Sequence, residues 1–277
     1  MTTAASVDYA YLRQIVLNFS QNILDSSRDY LFDARLSPLL RMHGMTHLHE
    51  LVHYLRRSKD PLLECAIAEA MTINETSFFR DRRPFELLRT ELLPGLIEAR
   101  RISRSLRFWS AACSTGQEAY SLAMLIREHF PHLDGWNIRI EGTDIASEVV
   151  ERARQGRYHR IEMNRGLPAR FIVRYFDRRD EDWIAKPELH RMCHFRHANL
   201  CVPPLPFHER FDVILLRNVM LYFAHETRRA LLARIHSLLA PDGILLLGST
   251  EQPADLALWV PVLACGTCYF RPCPAWQ

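Results

Sequence analysis

The chain predicts an α/β fold preceded by a smaller all-helical part, and three observations predict it. Apolar residues recur at helical spacing through roughly the first eighty positions. From about Leu106 onward, short apolar runs alternate with helical segments, the rhythm of parallel strands covered by helices. The length of 277 residues and a hydrophobic fraction of 48% suit one large domain with an appendage.

Taken in order, "THLHELVHYLRR" sets Leu48, Leu51, Val52 and Leu55 on one helical face. "DPLLECAIAEAMT" repeats the pattern with Leu63, Ala66, Ile67, Ala70 and Met71, opened by Asp60 as cap and Pro61 at the first helical position. In the second half "LRFWSAA" reads as a strand, "QEAYSLAMLIREHF" as a helix, "NIRIEGTDI" as a strand and "SEVVERARQG" as a helix ended by Gly156. "FDVILLRN" is a fully buried strand, "ETRRALLARIHSLLA" a helix closed by a turn at Pro241, Asp242 and Gly243, and "ILLLGST" a further strand. Between Gly156 and Phe211 the βαβ rhythm breaks. There "WIAKPELHRMCHFRHA" fits either a small antiparallel insertion or irregular structure. The expected division is a helical domain over 1–84, a basic linker over 85–105 and the α/β domain over 106–277, with a small β-subdomain at about 170–198.

Composition excludes several classes. No window approaches the ~18 uninterrupted apolar residues of a membrane span. "MTTAASVDYA" has neither the basic start nor the apolar core of a signal peptide, so a cytoplasmic protein without membrane insertion is expected. Seven scattered cysteines point to reduced thiols rather than a disulfide scaffold. A net charge of +3 does not by itself point to nucleic acid. Its distribution is uneven, since Arg80 to Arg107 holds eight arginines against four acids. That stretch reads either as a solvated linker helix or as a surface for an acidic partner.

The strand-turn-helix stretch "SAACSTGQEAYS", residues 110–121, contains only one glycine, Gly116. A dinucleotide fold places two or three there so that backbone amides reach a pyrophosphate. Small side chains with a single glycine suit instead an adenosyl ligand that has no phosphate. S-adenosylmethionine fits, and its sulfonium and ammonium make nearby carboxylates useful. Glu118 stands in the first turn of the following helix, where an acid is also stable simply beside the helix dipole. Asp144 ends the second strand, where an acid takes ribose hydroxyls in nucleotide folds or serves as a helix cap.

"INETSFFRD" (Ile73 to Asp81), "SAACSTGQEAYS", "GTDIASEVVERARQGRY", "ANL" and "FDVILLRNVMLYF" occur in an order and spacing that resemble the CheR-type chemotaxis receptor methyltransferases over nearly the whole chain. The resemblance implies a Rossmann-like S-adenosylmethionine-dependent methyltransferase domain with an N-terminal helical domain and a small β insertion. It implies methyl transfer to glutamate side chains of methyl-accepting chemotaxis proteins, giving glutamyl methyl esters and S-adenosylhomocysteine, with no metal. The implied cofactor-binding residues are Asn74, Thr76, Arg80, Glu118, Asp144, Asn199, Leu200, Arg217 and Asn218. Arg80 and Tyr222 are the implied catalytic residues, Tyr222 lying beside the transferred methyl. The implied partner is the cytoplasmic helical domain of the receptors. Some family members grip a receptor's terminal peptide through glycine-containing loops of the β insertion. No glycine occurs here between Gly166 and Gly243, so independence from a C-terminal pentapeptide tether is expected.

Other readings use different residues. "HELVH", His49 to His53, satisfies the H-E-x-x-H pattern of zinc proteases, or else places two histidines beside the core stripe of a helix. "CGTC", Cys265 to Cys268, is a lone pair of thiols in what reads as the last strand. A domain that senses S-adenosylmethionine without transferring its methyl is disfavoured by the presence of both Arg80 and Tyr222. "RNVMLYF" lacks the Asp/Asn-Pro-Pro-Tyr run associated with amino-group methyltransferases acting on nucleic acid and glutamine.

Overall fold

The structure is a computed structural model and describes residues 8–253 and 255–273. The first seven residues, on which the expectation of no signal peptide partly rests, lie outside them. The chain divides into two compact units, one of Met1–Ile73 with Tyr222–Thr227 and one of Asn74–Leu221 with Arg228–Gln277.

The first unit is helical: α1 Tyr9–Ser20, α2 Tyr30–Met42, α3 Leu48–Ser58 and α4 Pro61–Ala70. Asp60 caps α4 as its sequence predicts, accepting from the Leu62 and Leu63 amides at 3.0 and 3.2 Å. The stripe of Leu48, Leu51, Val52 and Leu55 is buried against Val16, Phe32, Leu36 and Ile67. The 222–227 segment joins this unit through the Ile23 amide, which donates to the Tyr222 carbonyl at 2.8 Å.

In the second unit α5 Arg83–Leu87, a π turn Leu88–Leu92 and α6 Leu93–Ala99 run continuously. Then follow β1 Ser105–Ala111, α7 Gln117–His129, β2 Asn137–Asp144, α8 Ser147–Gln155, β3 Arg157–His159, α9 Arg160–Asn164, α10 Ala169–Tyr175, β4 Phe176–Arg179 and β5 Asp182–Ala185. α11 Pro187–His190, β6 Cys193–His197, β7 Phe211–Leu216, α12 His225–Leu238, β8 Leu239–Leu247, β9 Trp259–Ala264 and β10 Thr267–Pro272 complete the order. The main sheet reads β6-β2-β1-β7-β8-β10-β9, parallel from β6 to β8, with β10 antiparallel to both neighbours. β7 is buried at every position because it lies in the interior of the sheet with both faces covered.

Four details differ from the sequence expectation. The helix offered for the linker over 85–105 forms but is packed rather than solvated, with Leu87, Leu88, Leu92, Leu93 and Leu96 in the same core as Phe108 of β1. The arginines there drew attention to charge, while the leucines between them decided the packing. The small antiparallel sheet, β3-β5-β4, begins at Arg157 and ends at Ala185, earlier than 170–198. Cys193–His197 instead pairs in parallel with β2 as an edge of the main sheet. The expected turn at Pro241-Asp242-Gly243 is an irregularity inside β8, where the register passes from Phe211↔Leu239 to Val213↔Ile244. Only half of "CGTC" lies in the last strand: Thr267 and Cys268 open β10, while Cys265 and Gly266 form the hairpin turn before it. Cys265 and Gly266 have φ of 49° and 68°, the positive values a two-residue type I′ turn requires.

The absence of glycine in the insertion does not prevent a tight turn there. Asp180, with φ 55°, takes the left-handed position between β4 and β5, which aspartate tolerates better than most residues.

Candidate active site

From β1 the chain moves outward through β2 to β6, then returns to the other side of β1 at β7. The order reverses between β1 and β7, and in open α/β sheets ligands bind outside the carboxyl ends of strands at such a switch point. Glu118, Asp144, Asn199 and Arg217, all implied from the sequence, follow the carboxyl ends of β1, β2, β6 and β7 or close them.

After β1 the backbone is strained. Ala112, Ser114 and Gly116 have φ of 60°, 51° and 91°. A Cβ on Gly116 would stand 2.9 Å from the Ala153 Cβ, so glycine is required by both conformation and space. Three amides of this loop are used within the protein: Cys113 donates to the Thr143 carbonyl at 2.8 Å, Ser114 to Asp144 Oδ2 at 2.8 Å, and Gly116 to the Cys113 carbonyl at 3.0 Å. With these three engaged, the loop presents fewer amides to a phosphate than a glycine-rich turn does.

Arg217 organises the ground between β1 and β7. Its side chain is 2% exposed. Nη1 donates to Glu118 Oε2 at 2.8 Å, and Nη2 donates to Asp81 Oδ2 at 2.6 Å and to the Arg80 carbonyl at 2.9 Å. Nε is buried and unpartnered. Glu118 Oε1 also accepts from Ser110 Oγ at 2.8 Å, so this acid is held by an ion pair as well as by the first turn of α7. The loop clamped by Arg217 is itself strained, with φ of 49°, 65° and 41° at Phe79, Asp81 and Arg82. The Phe79 amide donates to Ser121 Oγ at 2.9 Å, and Phe78 is fully buried, so "SFFR" tucks inward as its paired aromatics imply. Arg80 Nη1 donates back to the Glu75 carbonyl at 2.8 Å, leaving further donors of the guanidinium for a ligand.

Asn74 reaches the β1 loop through its carbonyl, which accepts from Ser114 Oγ at 2.7 Å. Thr76 lies half-buried in the extended segment between Asn74 and Phe78. Asp144 is 6% exposed and accepts from the Ser114 and Ala146 amides at 2.8 and 3.0 Å. Burial raises its pKa above the ordinary value, offset in part by those amides. The cap role is therefore present, and each oxygen keeps acceptor capacity for a ribose. The Ala198 amide donates to the Asp144 carbonyl at 2.9 Å, which brings Asn199 and buried Leu200 beside it. Asn199 Oδ1 accepts from the Cys201 amide at 2.9 Å.

One residue escaped the sequence reading. Glu251, 6% exposed, accepts from the amides of Asn218, Met220 and Gly248 at 2.6, 2.8 and 2.8 Å. It fixes Asn218 in a left-handed conformation, φ 60°. Its signal was an acid closing "ILLLGSTE", directly after a buried strand. Tyr222 belongs to the helical unit. In "HELVH", Glu50 accepts from the Thr46 amide and hydroxyl, both at 3.0 Å, as a local cap. Among the described residues no group of three or more His, Cys, Asp or Glu side chains is arranged to hold a metal ion, and no helix is long and apolar enough to cross a membrane.

The residues fit S-adenosylmethionine. Asp81 and Glu118 meet the Arg217 guanidinium, while Asp144 and Glu251 stand at the ends of β2 and β8 on backbone amides, an acid-rich ground suited to a cationic ligand. The Cys113, Ser114 and Gly116 amides are bonded within the protein, and the buried Arg217 Nε is left without a partner.

Comparison with known proteins agrees with this geometry. Residues 74–265 match the family described as CheR methyltransferase, SAM binding domain. Chemotaxis protein methyltransferase 1 of Pseudomonas aeruginosa is 38% identical over 258 residues, covering 92% of this chain and 93% of that one. Chemotaxis protein methyltransferase Cher2 of Pseudomonas putida is 34% identical over 253 residues, covering 90% and 91%. The chemotaxis protein methyltransferase of Borreliella burgdorferi is 33% identical over 238 residues, covering 84% and 83%. With a helical unit and a seven-stranded sheet reversing between β1 and β7, the chain belongs to the CheR family of S-adenosylmethionine-dependent methyltransferases.

Proposed function

We propose that this protein transfers a methyl group from S-adenosylmethionine to glutamate side chains in the cytoplasmic helical domain of chemoreceptors, giving glutamyl methyl esters. The observation that carries the reading is the pair of carboxylates, Glu118 and Asp81, held by buried Arg217 beside the β1 loop with its single glycine. The likeness to chemotaxis methyltransferases over more than nine-tenths of the chain supports the receptor as substrate.

S-adenosylmethionine supplies an electrophilic methyl carbon on a sulfonium. Glu118, Asp144, Asn199 and Leu200 are assigned to hold it, with Asn74, Thr76 and Asn218 at its polar edges. Arg217 acts by fixing Glu118 and the 80–81 loop. A glutamate side chain has an ordinary pKa of about 4.3, so it arrives ionised and needs no general base. One carboxylate oxygen forms the new C–O bond as the C–S bond breaks and its electron pair passes to sulfur. Arg80, together with Tyr222 five positions after Arg217, is assigned to aim that oxygen along the C–S axis; alignment of this kind supplies several kcal/mol, on the order of 7 or more in favourable cases. A tight grip by Arg80 on the ground-state carboxylate would slow transfer, so orientation rather than affinity is its task.

Incubation with labelled S-adenosylmethionine and a panel of receptor cytoplasmic domains tests the proposal. Base-labile methyl esters on receptor glutamates are expected; label stable to base, or confined to other residues, refutes it. Independence from a terminal tether is a separate part of the reading, and Asp180 removes the argument from missing glycines. Its remaining measure is direct: receptors with and without the terminal peptide should bind equally, and firm binding of the isolated peptide ends it.

A further inference from the structure

The loop clamped by Arg217 also borders a second cavity, about 260 Å³ in volume. Its floor is aromatic, with Phe79 packed on Phe85 and Phe171 at ring distances of 5.2 and 5.6 Å. Its rim carries Arg82, Arg89, Arg170 and His129. The single carboxylate lining it, Glu86, is engaged by Arg89, with Nε 3.2 Å from Oε2. Among the described residues Arg82 and Arg170 have no carboxylate partner, and Arg170 lies 5.1 Å over the Phe171 ring. The crowding of positive charge is felt by His129, whose pKa is lowered by burial and then by Arg89 and Arg170. The shape is fixed in advance. Phe79 is held at φ 49°, and a Cβ on Gly166 would stand 2.1 Å from the Phe78 carbonyl oxygen.

We infer that this cavity receives a second acidic side chain of the protein substrate, near the accepting glutamate in its helix, with its carboxylate between Arg82 and Arg170 and its methylenes on the aromatic floor. The inference rests on the glutamate-methylation reading and adds a determinant of substrate choice. The volume lies below the ~300 Å³ where small-molecule sites begin, which suits one side chain. Phe79 of the floor and Asp81 of the clamp are two residues apart, so their Cα atoms lie within about 7.6 Å. The cavity therefore adjoins the loop that Arg217 clamps. An excess of cations recognises an acid, and an aromatic floor favours one carried on an aliphatic stem.

The test compares wild type with Arg170→Glu and with the double variant Arg82→Gln/Arg170→Gln, all with intact receptor cytoplasmic domains. Arg170 is exposed on a short helix, which makes misfolding an improbable confounder, and affinity for S-adenosylhomocysteine by calorimetry checks it. Arg170→Glu is expected to raise the receptor KM about tenfold, with kcat and S-adenosylhomocysteine affinity unchanged, and the double variant to lose part of the salt dependence of KM. An unchanged KM with an unchanged salt dependence overturns the inference, as does a loss confined to S-adenosylhomocysteine affinity. Failure of the wild type to label any receptor is a different result, and it removes the glutamate reading together with this one.

Discussion

Two arginines grip pairs of carboxylates at opposite ends of β7, and they do so in different ways. At the amino end Arg100 donates to Asp212 at 2.7 Å and to both oxygens of Asp242 at 2.8 and 2.6 Å. Asp212 also accepts from the Arg107 amide at 2.7 Å. None of these three residues has a left-handed backbone. At the carboxyl end Arg217 holds Glu118 and Asp81, but its Nε is unsatisfied. Among the described residues, six of the eleven non-glycine residues with positive φ cluster there: Phe79, Asp81, Arg82, Ala112, Ser114 and Asn218. One clamp staples a sheet at low strain. The other holds strained loops, a state that costs stability and is retained where a ligand must be received.

The largest effect should come from Arg217→Met, which leaves Glu118 and Asp81 without their cation. Loss of about 3–5 kcal/mol is expected in urea unfolding, with S-adenosylhomocysteine binding abolished in calorimetry. Arg100→Met should cost about 1–3 kcal/mol and leave that binding unchanged. If both variants weakened binding equally, the division between a stapling and a receiving clamp would be lost. Gly116→Ala sharpens the contrast further. With φ 91° and a contact at 2.9 Å, it should cost about 2–3 kcal/mol and weaken S-adenosylhomocysteine binding. Gly95→Ala, in α6 with nothing within 4 Å of its Cβ, should be stabilising by about 0.5–1 kcal/mol.

These contrasts show which parts of the molecule sequence can disclose. The strands and helices from β1 to α8 were legible because their apolar periods match their burial, and Glu118 and Asp144 because they stand at strand and helix ends. Glu251 was not, since its three amide partners come from residues 218, 220 and 248 and only the fold assembles them. Arg217 was legible as a site residue through family likeness, but its grip on Asp81 crosses 136 positions of sequence. The burial of the helix at 83–99 was obscured by its arginines, because a count of charges ignores the leucines that pack. The turn at Asp180 escaped because a search for glycine passes over an aspartate able to take the same conformation.

Variants at the proposed aiming residues separate alignment from binding at the carboxyl end. Arg80→Ala should lower both turnover and S-adenosylhomocysteine affinity, each by about tenfold, because its carbonyl partner on Glu75 and any ligand contact go together. Normal affinity in that variant would remove Arg80 from the cofactor site. Tyr222→Phe should reduce kcat by about tenfold with affinity within a factor of about two, the pattern of a group that acts in the transition state. Unchanged turnover would take Tyr222 out of the mechanism.

The smallest effect distinguishes the two ends by the sign of their response to acid. Asp242 is held below its unfolded value of 3.8, first by the hydrogen bond from Arg100. A depressed carboxyl contributes stability that is complete above 3.8 and is lost as pH falls through its folded value. Asp242 is about half exposed, so the contribution is below about 1 kcal/mol. Asp144 runs the other way. Burial raises it above 3.8, so its ionisation opposes folding as pH climbs from that value toward its folded one. Carboxyl-carbon NMR titration should therefore place the midpoint of Asp242 below 3.8 and that of Asp144 above it. The stability gap between wild type and Asp242→Asn should shrink below about pH 4. A gap that persists in acid would mean that Arg100 holds Asp242 by shape rather than charge, and the amino-end clamp would no longer be an electrostatic staple.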